Sequence, residues 1–197
     1  MLPFPQIRQH VLARLKKGLS PDLTYHNVNH TLDVLKQAEY IAKDEGVTDE
    51  NDLLLLKVSS LYHDVGFMEI YGGHEERSCQ IALPELESFG FNTNQINRIF
   101  GMIRATKVPQ QPQNLLEEII CDSDLDYLGR NDFFTIGEGL YKEFIDQKIV
   151  ANYMDWNLLQ IRFLESHHYF TNTSKRRRQK QKQIHLDAIK EKVGMSV

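Results

Sequence analysis

The sequence has little that would suit an oxidising compartment or a membrane. Only two of its 197 residues are cysteine. Cys79 and Cys121 have no CxxC partner and fall in segments that read as helix interior, so both are expected to be small buried hydrophobes. No apolar run is long enough to span a bilayer. The N-terminal stretch MLPFPQIRQHVLARLKKGL is broken by two prolines and carries polar residues throughout, which fits neither a signal peptide nor an anchor. A cytoplasmic protein without a membrane partner is expected. An excess of positive charge is also missing: 23 Lys and Arg stand against 27 Asp and Glu, for a net charge of -4. With a pI near 6.1, no global field attracts nucleic acid, and a polyanionic partner must be held by a local feature. Strand-like alternation is nearly absent, which excludes a sheet protein.

What is present is helical periodicity. Apolar residues recur at Ile7, Val11 and Leu15, at Leu32, Leu35 and Tyr40, and at Leu53, Leu56 and Leu61. Helix starts are signalled by Ser20-Pro21, Thr48-Asp49, Asn92-Thr93 and Asn114, and stops by Gly46, Gly66, Gly72-Gly73, Gly90 and Gly129. About eight to ten helices joined by short loops follow, with the longest irregular piece at VPQQPQ, 108–113. A composition of 41% hydrophobic residues can bury a sizeable core. The expected fold is an all-α single domain over 1–197, with neither a repeat nor a linker to split it.

Chemistry concentrates in three segments. In YHNVNHTLDV, His26 and His30 are four apart and would share a helical face. In LYHDVG, the His63-Asp64 pair ends a strongly apolar helix, where an ionised Asp is costly unless paired or bound to metal. In IICDSDLDYLG, Asp122, Asp124 and Asp126 lie in an otherwise buried-looking helix and call for a cation. Each signal is weak alone, since a lone His on an apolar helix is more often a hydrogen-bonded core residue. Together, imidazoles and carboxylates without thiolate suit a divalent Mn, Fe, Co, Mg, Zn or Ni ion, and disfavour a structural zinc site.

In this order the residues resemble the HD-domain superfamily, whose mark is a histidine, a His-Asp pair and a distant aspartate. His30-Thr31-Leu32-Asp33-Val34 fits the first element, so the resemblance gives His30 the ligand role rather than His26. His63 and Asp64 match the pair. Asp124, after the small Ser123, matches the last aspartate, with Asp122 as the alternate; from one regular helix the two cannot both face the same ion. YHNVNHTLDV, LYHDVGF, GGHEERS and CDSDLDYLGRNDF look like segments of small stand-alone bacterial HD phosphohydrolases. The resemblance implies a metal-site core over about 24–130 followed by C-terminal helices over 131–197. It also implies metal-dependent hydrolysis of a phosphate ester or anhydride, with a small phosphorylated substrate, expected to be a nucleotide. YHNVNH is similar to an element of cyclic-nucleotide phosphodiesterases whose first histidine protonates the leaving oxygen, which makes His26 the candidate acid. A glutamine-bearing base pocket is not evident.

Other groups carry two readings each. His74, with Glu75, could serve a second metal or simply open a helix after Gly72-Gly73. Lys107, Arg104 and Arg130 could hold a phosphate or complement helix ends. The SKRRRQKQKQIHLDAIKEKV segment reads as a solvated helix packed by one stripe, with phosphate or nucleic-acid binding as its rival. His167-His168 reads as structural or surface. Against the enzyme stand a non-catalytic nucleotide-sensing module and, with extra histidine ligands, a di-iron oxygenase. The ligand set leaves the metal unnamed, and nothing in the sequence sets the oligomeric state.

Overall fold

The computed structural model describes residues 2–195. Among these the backbone forms nine α-helices and no strand: α1 (Phe4–Gly18), α2 (Val28–Asp44), α3 (Glu50–Tyr62), α4 (His74–Ser88), α5 (Thr93–Ala105), α6 (Leu115–Asp124), α7 (Phe133–Asp146), α8 (Tyr153–Ser166) and α9 (Asn172–Lys192). Single 3₁₀ turns at Val65–Met68 and Asp126–Gly129 follow α3 and α6. No helix among the described residues is long and apolar enough to cross a membrane.

Side-chain caps decide where helices begin. Asp49 accepts from Asp52 N, Asn114 from Glu117 N, and Asn92 forms a reciprocal capping box with Gln95. Ser20-Pro21 lies in a turn instead of opening a helix, and α2 starts only at Val28, where Asn27 accepts from Asn29 N and His30 N. His26 therefore precedes the cap. The expected shared helical face of His26 and His30 is corrected: only His30 is helical.

Two apolar clusters form the interior. The first draws on α1 to α6, including Ile7, Val11 and Leu15 on one stripe of α1 against Leu55, Leu56 and Leu61 of α3. The second joins the 126–129 turn to α7, α8 and α9 through Leu128, Phe133, Ile161, Leu164 and Leu186. The site lies where α2, α3 and α6 pack on one another.

Much of the cationic run of α9 pairs internally, which corrects its reading as a simple solvated face. The Arg178 guanidinium donates twice to buried Asp126, at 2.7 and 2.9 Å, and Arg176 donates to Asp44 at 2.7 Å. Lys182 is buried and donates to the Leu164 carbonyl at 3.1 Å. Asp126 thus needs no metal, because α9 brings its counter-charge. Cys79 and Cys121 are buried and unpaired.

Gly66 is required by a close approach. A Cβ there would stand 2.1 Å from the His74 carbonyl oxygen. Gly66→Ala should therefore push the start of α4 away and lower stability by about 2–3 kcal/mol, read as a fall in denaturant midpoint. An unchanged midpoint would show that this backbone packing is not tight.

Candidate metal centre

Three helices deliver three ligand atoms to one point. His30 comes from the first turn of α2, His63 from the C-terminus of α3, and Asp124 from the last residue of α6. His30 Nε2 lies 3.1 Å from Asp124 Oδ1 and 3.4 Å from His63 Nε2, and His63 Nε2 lies 3.6 Å from Asp124 Oδ1. Zinc-like ligand distances of about 2.1 Å imply ligand-to-ligand spacings of roughly 3.0 Å in an octahedron and 3.4 Å in a tetrahedron. The observed triangle fits such an ion. These three residues form a group that could hold a metal.

Asp64 completes the surroundings. Its Oδ2 lies 3.3 Å from both His30 Nε2 and His63 Nε2, yet is buried with no hydrogen-bond partner. A buried anionic oxygen left so is costly without a cation. The tautomer of His63 is fixed: Nδ1–H donates to the Ser60 carbonyl at 2.9 Å, which turns the Nε2 lone pair toward the cluster.

Without a metal, protons hold the cluster together. Burial works against a charged His30, but the Asp124 and Asp64 carboxylates facing it outweigh burial and lift it to about 9. His63 is likewise raised: burial is outweighed by the nearby Asp64 and Asp124 carboxylates. Burial would raise Asp124, but those histidines hold it down at about 2. Because His30 is raised from 6.5 to about 9, its contribution to the metal-free fold is complete below pH 6.5 and disappears as pH climbs through 9. Chelator-stripped protein should lose up to about 3 kcal/mol across that window, and metal-loaded protein should not. Denaturant titrations at pH 6, 8 and 9.5 test this; a flat profile for the stripped form counts against a proton-held cluster.

Beside the cluster stands a second arrangement that the sequence did not disclose. Glu143 of α7 is buried and accepts from Tyr25 N at 3.0 Å, His26 N at 3.1 Å and the Tyr71 hydroxyl at 2.8 Å. The same carboxylate pairs with His26 Nδ1. Burial would raise Glu143, but the hydrogen bond from His26, its charge, and the bonds from Tyr25 N and Tyr71 hold the carboxyl below its usual range. The His26 ring stacks on Phe67, with centroids 4.1 Å apart, and Phe67 stacks on His74 at 3.8 Å. One phenyl ring thereby spaces two imidazoles. The available signal was Glu143 falling in helical register with Ile136 and Leu140.

The remaining candidates separate. Asp122 turns away from the cluster: its oxygens accept from Phe170 N at 2.9 Å, Thr171 N at 2.8 Å and Thr171 Oγ1 at 2.7 Å. It ties α6 to the segment before α9. His74 donates through Nδ1 to the Tyr71 carbonyl at 3.1 Å, which leaves Nε2 3.6 Å from Asp64 Oδ1 and 3.7 Å from Glu75 Oε1. Arg104 forms a fork with Glu76 at 2.8 and 3.0 Å, and Arg130 is held by Asp33 at 2.5 Å and by Asp132 at 2.5 and 2.9 Å. Neither arginine lines the cavity at the cluster, so their expected phosphate role is corrected. Lys107 does line it, and its side chain is exposed. His167 is half-buried, and loss of solvent with the charge of Lys182 holds its imidazole down at about 3.

The cavity has a volume of about 520 Å³, and Asp64, Asp124, His26 and His74 all contribute to its wall. That size is ordinary for a small-molecule site.

Comparisons with known proteins agree with this geometry. No curated protein matches the chain. Two solved structures share its fold with a TM-score of 0.63. One is described as a predicted HD superfamily hydrolase from an uncultured Thermotogales bacterium, 18% identical, covering 97% of this chain and 91% of that one. The other is a protein of Lactobacillus plantarum, 17% identical, covering 98% and 99%. The HD domain family model matches residues 27–127, which contain His30, His63, Asp64 and Asp124. The chain belongs to the HD-domain family.

Proposed function

We propose that this protein is a metal-dependent phosphohydrolase that cleaves a phosphate ester or anhydride. The observation that carries the reading is the meeting, on one cavity, of an imidazole-carboxylate cluster and the Glu143–His26 pair. A cluster alone would suit storage or sensing of an ion. A separately anchored histidine beside it gives a place from which a proton can be delivered.

The residues divide the work. His30, His63 and Asp124, with Asp64, would hold the ion. When bound, the ion supplies a Lewis acid for the phosphoryl oxygen and lowers the pKa of a coordinated water. Asp64 orients the attacking water and accepts one of its protons, and the water oxygen forms the new bond to phosphorus. As the bond from phosphorus to the leaving oxygen breaks, His26 donates a proton to that oxygen. Glu143 keeps Nδ1 engaged, so the proton leaves from Nε2. Lys107 at the exposed edge offsets phosphoryl charge. Water is added across the bond, and the products are an alcohol or phosphate and a phosphate monoanion or dianion. His74, between Asp64 and Glu75, would be the place for a second ion.

The test is purification without chelator, metal analysis by mass spectrometry, and assay on simple phosphate esters with Mn, Co, Fe(II), Mg, Ni and Zn each resupplied. Near-stoichiometric metal with ester hydrolysis supports the reading. Stoichiometric metal with no hydrolysis of any ester would favour the sensing module, and failure to retain any ion would sink the metal centre.

A further inference from the structure

The cavity wall facing away from the cluster has a different chemistry. It comes from the 126–129 turn, α7 and α8, and presents Leu128, Leu140, Phe144, Trp156, Leu159 and Phe163. Gln160 is the one amide side chain among the residues that line the cavity. A nucleobase needs several fixed donors and acceptors, and a wall whose polar groups are the Gln160 amide and the Tyr127 hydroxyl offers few.

Charge leads the same way. Apart from the histidines, Lys107 is the one cationic side chain among the described residues lining the cavity, against Asp64, Glu75 and Asp124. Arg104 and Arg130, the nearest alternatives in sequence, are committed to Glu76 and to Asp33 and Asp132. A polyphosphate chain would therefore meet one lysine and three carboxylates around the ion. One phosphoryl group is what this set can neutralise.

Resting on the phosphohydrolase reading above, we propose that the substrate is a monophosphate ester with a bulky apolar body, and not a nucleotide. The phosphoryl group sits at the cluster and the body lies against Leu140, Phe144, Trp156 and Leu159. Hydrolysis adds water, breaks the bond from phosphorus to the ester oxygen, and releases inorganic phosphate and an apolar alcohol protonated by His26.

The molecule carries its own probe. It has one tryptophan, and Trp156 lines this wall. Its fluorescence should report binding of non-hydrolysable n-alkylphosphonates to zinc-loaded protein, independently of turnover. From ethyl- to octylphosphonate the affinity should rise about fourfold per methylene until the wall is covered, and octylphosphonate should bind tighter than AMP or ATP. Naphthylphosphonate beside octylphosphonate separates an aromatic body from an aliphatic chain; a strong gain over ethylphosphonate by either supports the proposal. Leu159→Asn should flatten the series and Leu159→Met should restore it. Equal affinity along the series, or tighter binding of AMP or ATP, would overturn the proposal. The matching alkyl phosphates, assayed with Mn, separate the two claims. A steep binding series without hydrolysis removes the enzyme reading and leaves the apolar ligand standing, whereas efficient hydrolysis confined to nucleotides does the reverse.

Discussion

Replacing His63 by alanine should abolish metal retention and lower ester hydrolysis by about a thousandfold or more. His63 is fully buried and its Nε2 lies within 3.6 Å of three other site atoms, from His30, Asp64 and Asp124. Removing it leaves two carboxylates with one imidazole between them, so the variant should also be about 3 kcal/mol less stable. Circular dichroism must confirm folding before its metal content is compared. Asp122→Asn is the informative control. Asp122 accepts three hydrogen bonds from residues 170 and 171 and none from the cluster, so that variant should lose about 1–3 kcal/mol of stability and retain its metal. If Asp122→Asn lost metal and Asp124→Ala kept it, the assignment of the last aspartate would be reversed.

The second large effect concerns turnover without metal loss. His26→Ala should lower kcat by about 10²- to 10⁴-fold with metal content unchanged, because His26 lies outside the ligand triangle and precedes α2. Glu143→Gln should act in the same direction, since an amide carries no charge and keeps only one of the two accepting oxygens that Tyr25 N, His26 and Tyr71 share. A leaving-group series separates proton delivery from mere positioning. p-Nitrophenyl phosphate releases an acidic phenol that leaves without a proton, so both variants should be nearly normal on it and strongly impaired on alkyl phosphates. Uniform impairment on every ester would reduce the pair to a structural role.

The limits of sequence reading are physical ones. Caps at Asp49, Asn92 and Asn114 were legible because side chain and backbone donor are only three residues apart. The start of α2 was not: spacing in YHNVNH permits one helical face for His26 and His30, and the Asn27 cap overrides it. Helical period separated Asp122 from Asp124 without saying which one faces the cluster, because the partner that claims Asp122 lies 49 residues away at Thr171. Arg104, Arg130 and the charges of α9 looked available in sequence, since a charge shows there without its partner. Glu143 is the extreme case, 117 residues from His26, and nothing local marks a buried glutamate as the partner of a distant histidine.

That last distance also sets an order of events. His30, His63 and Asp124 all lie within the first 124 residues, whereas Glu143 is on the next helix and Arg178, which neutralises the buried Asp126, is on the last. Contacts remote in sequence, the His30–Asp124 pair among them, close after local ones. A chain emerging from the ribosome would present His30, His63 and Asp124 first, then Glu143, and only at the end the helix that pairs with Asp126. Asp122 and Asp126 lack their partners at Thr171 and Arg178 until α9 is made, so a chain cut before α7 should hold α6 loosely and retain metal more weakly than the full chain.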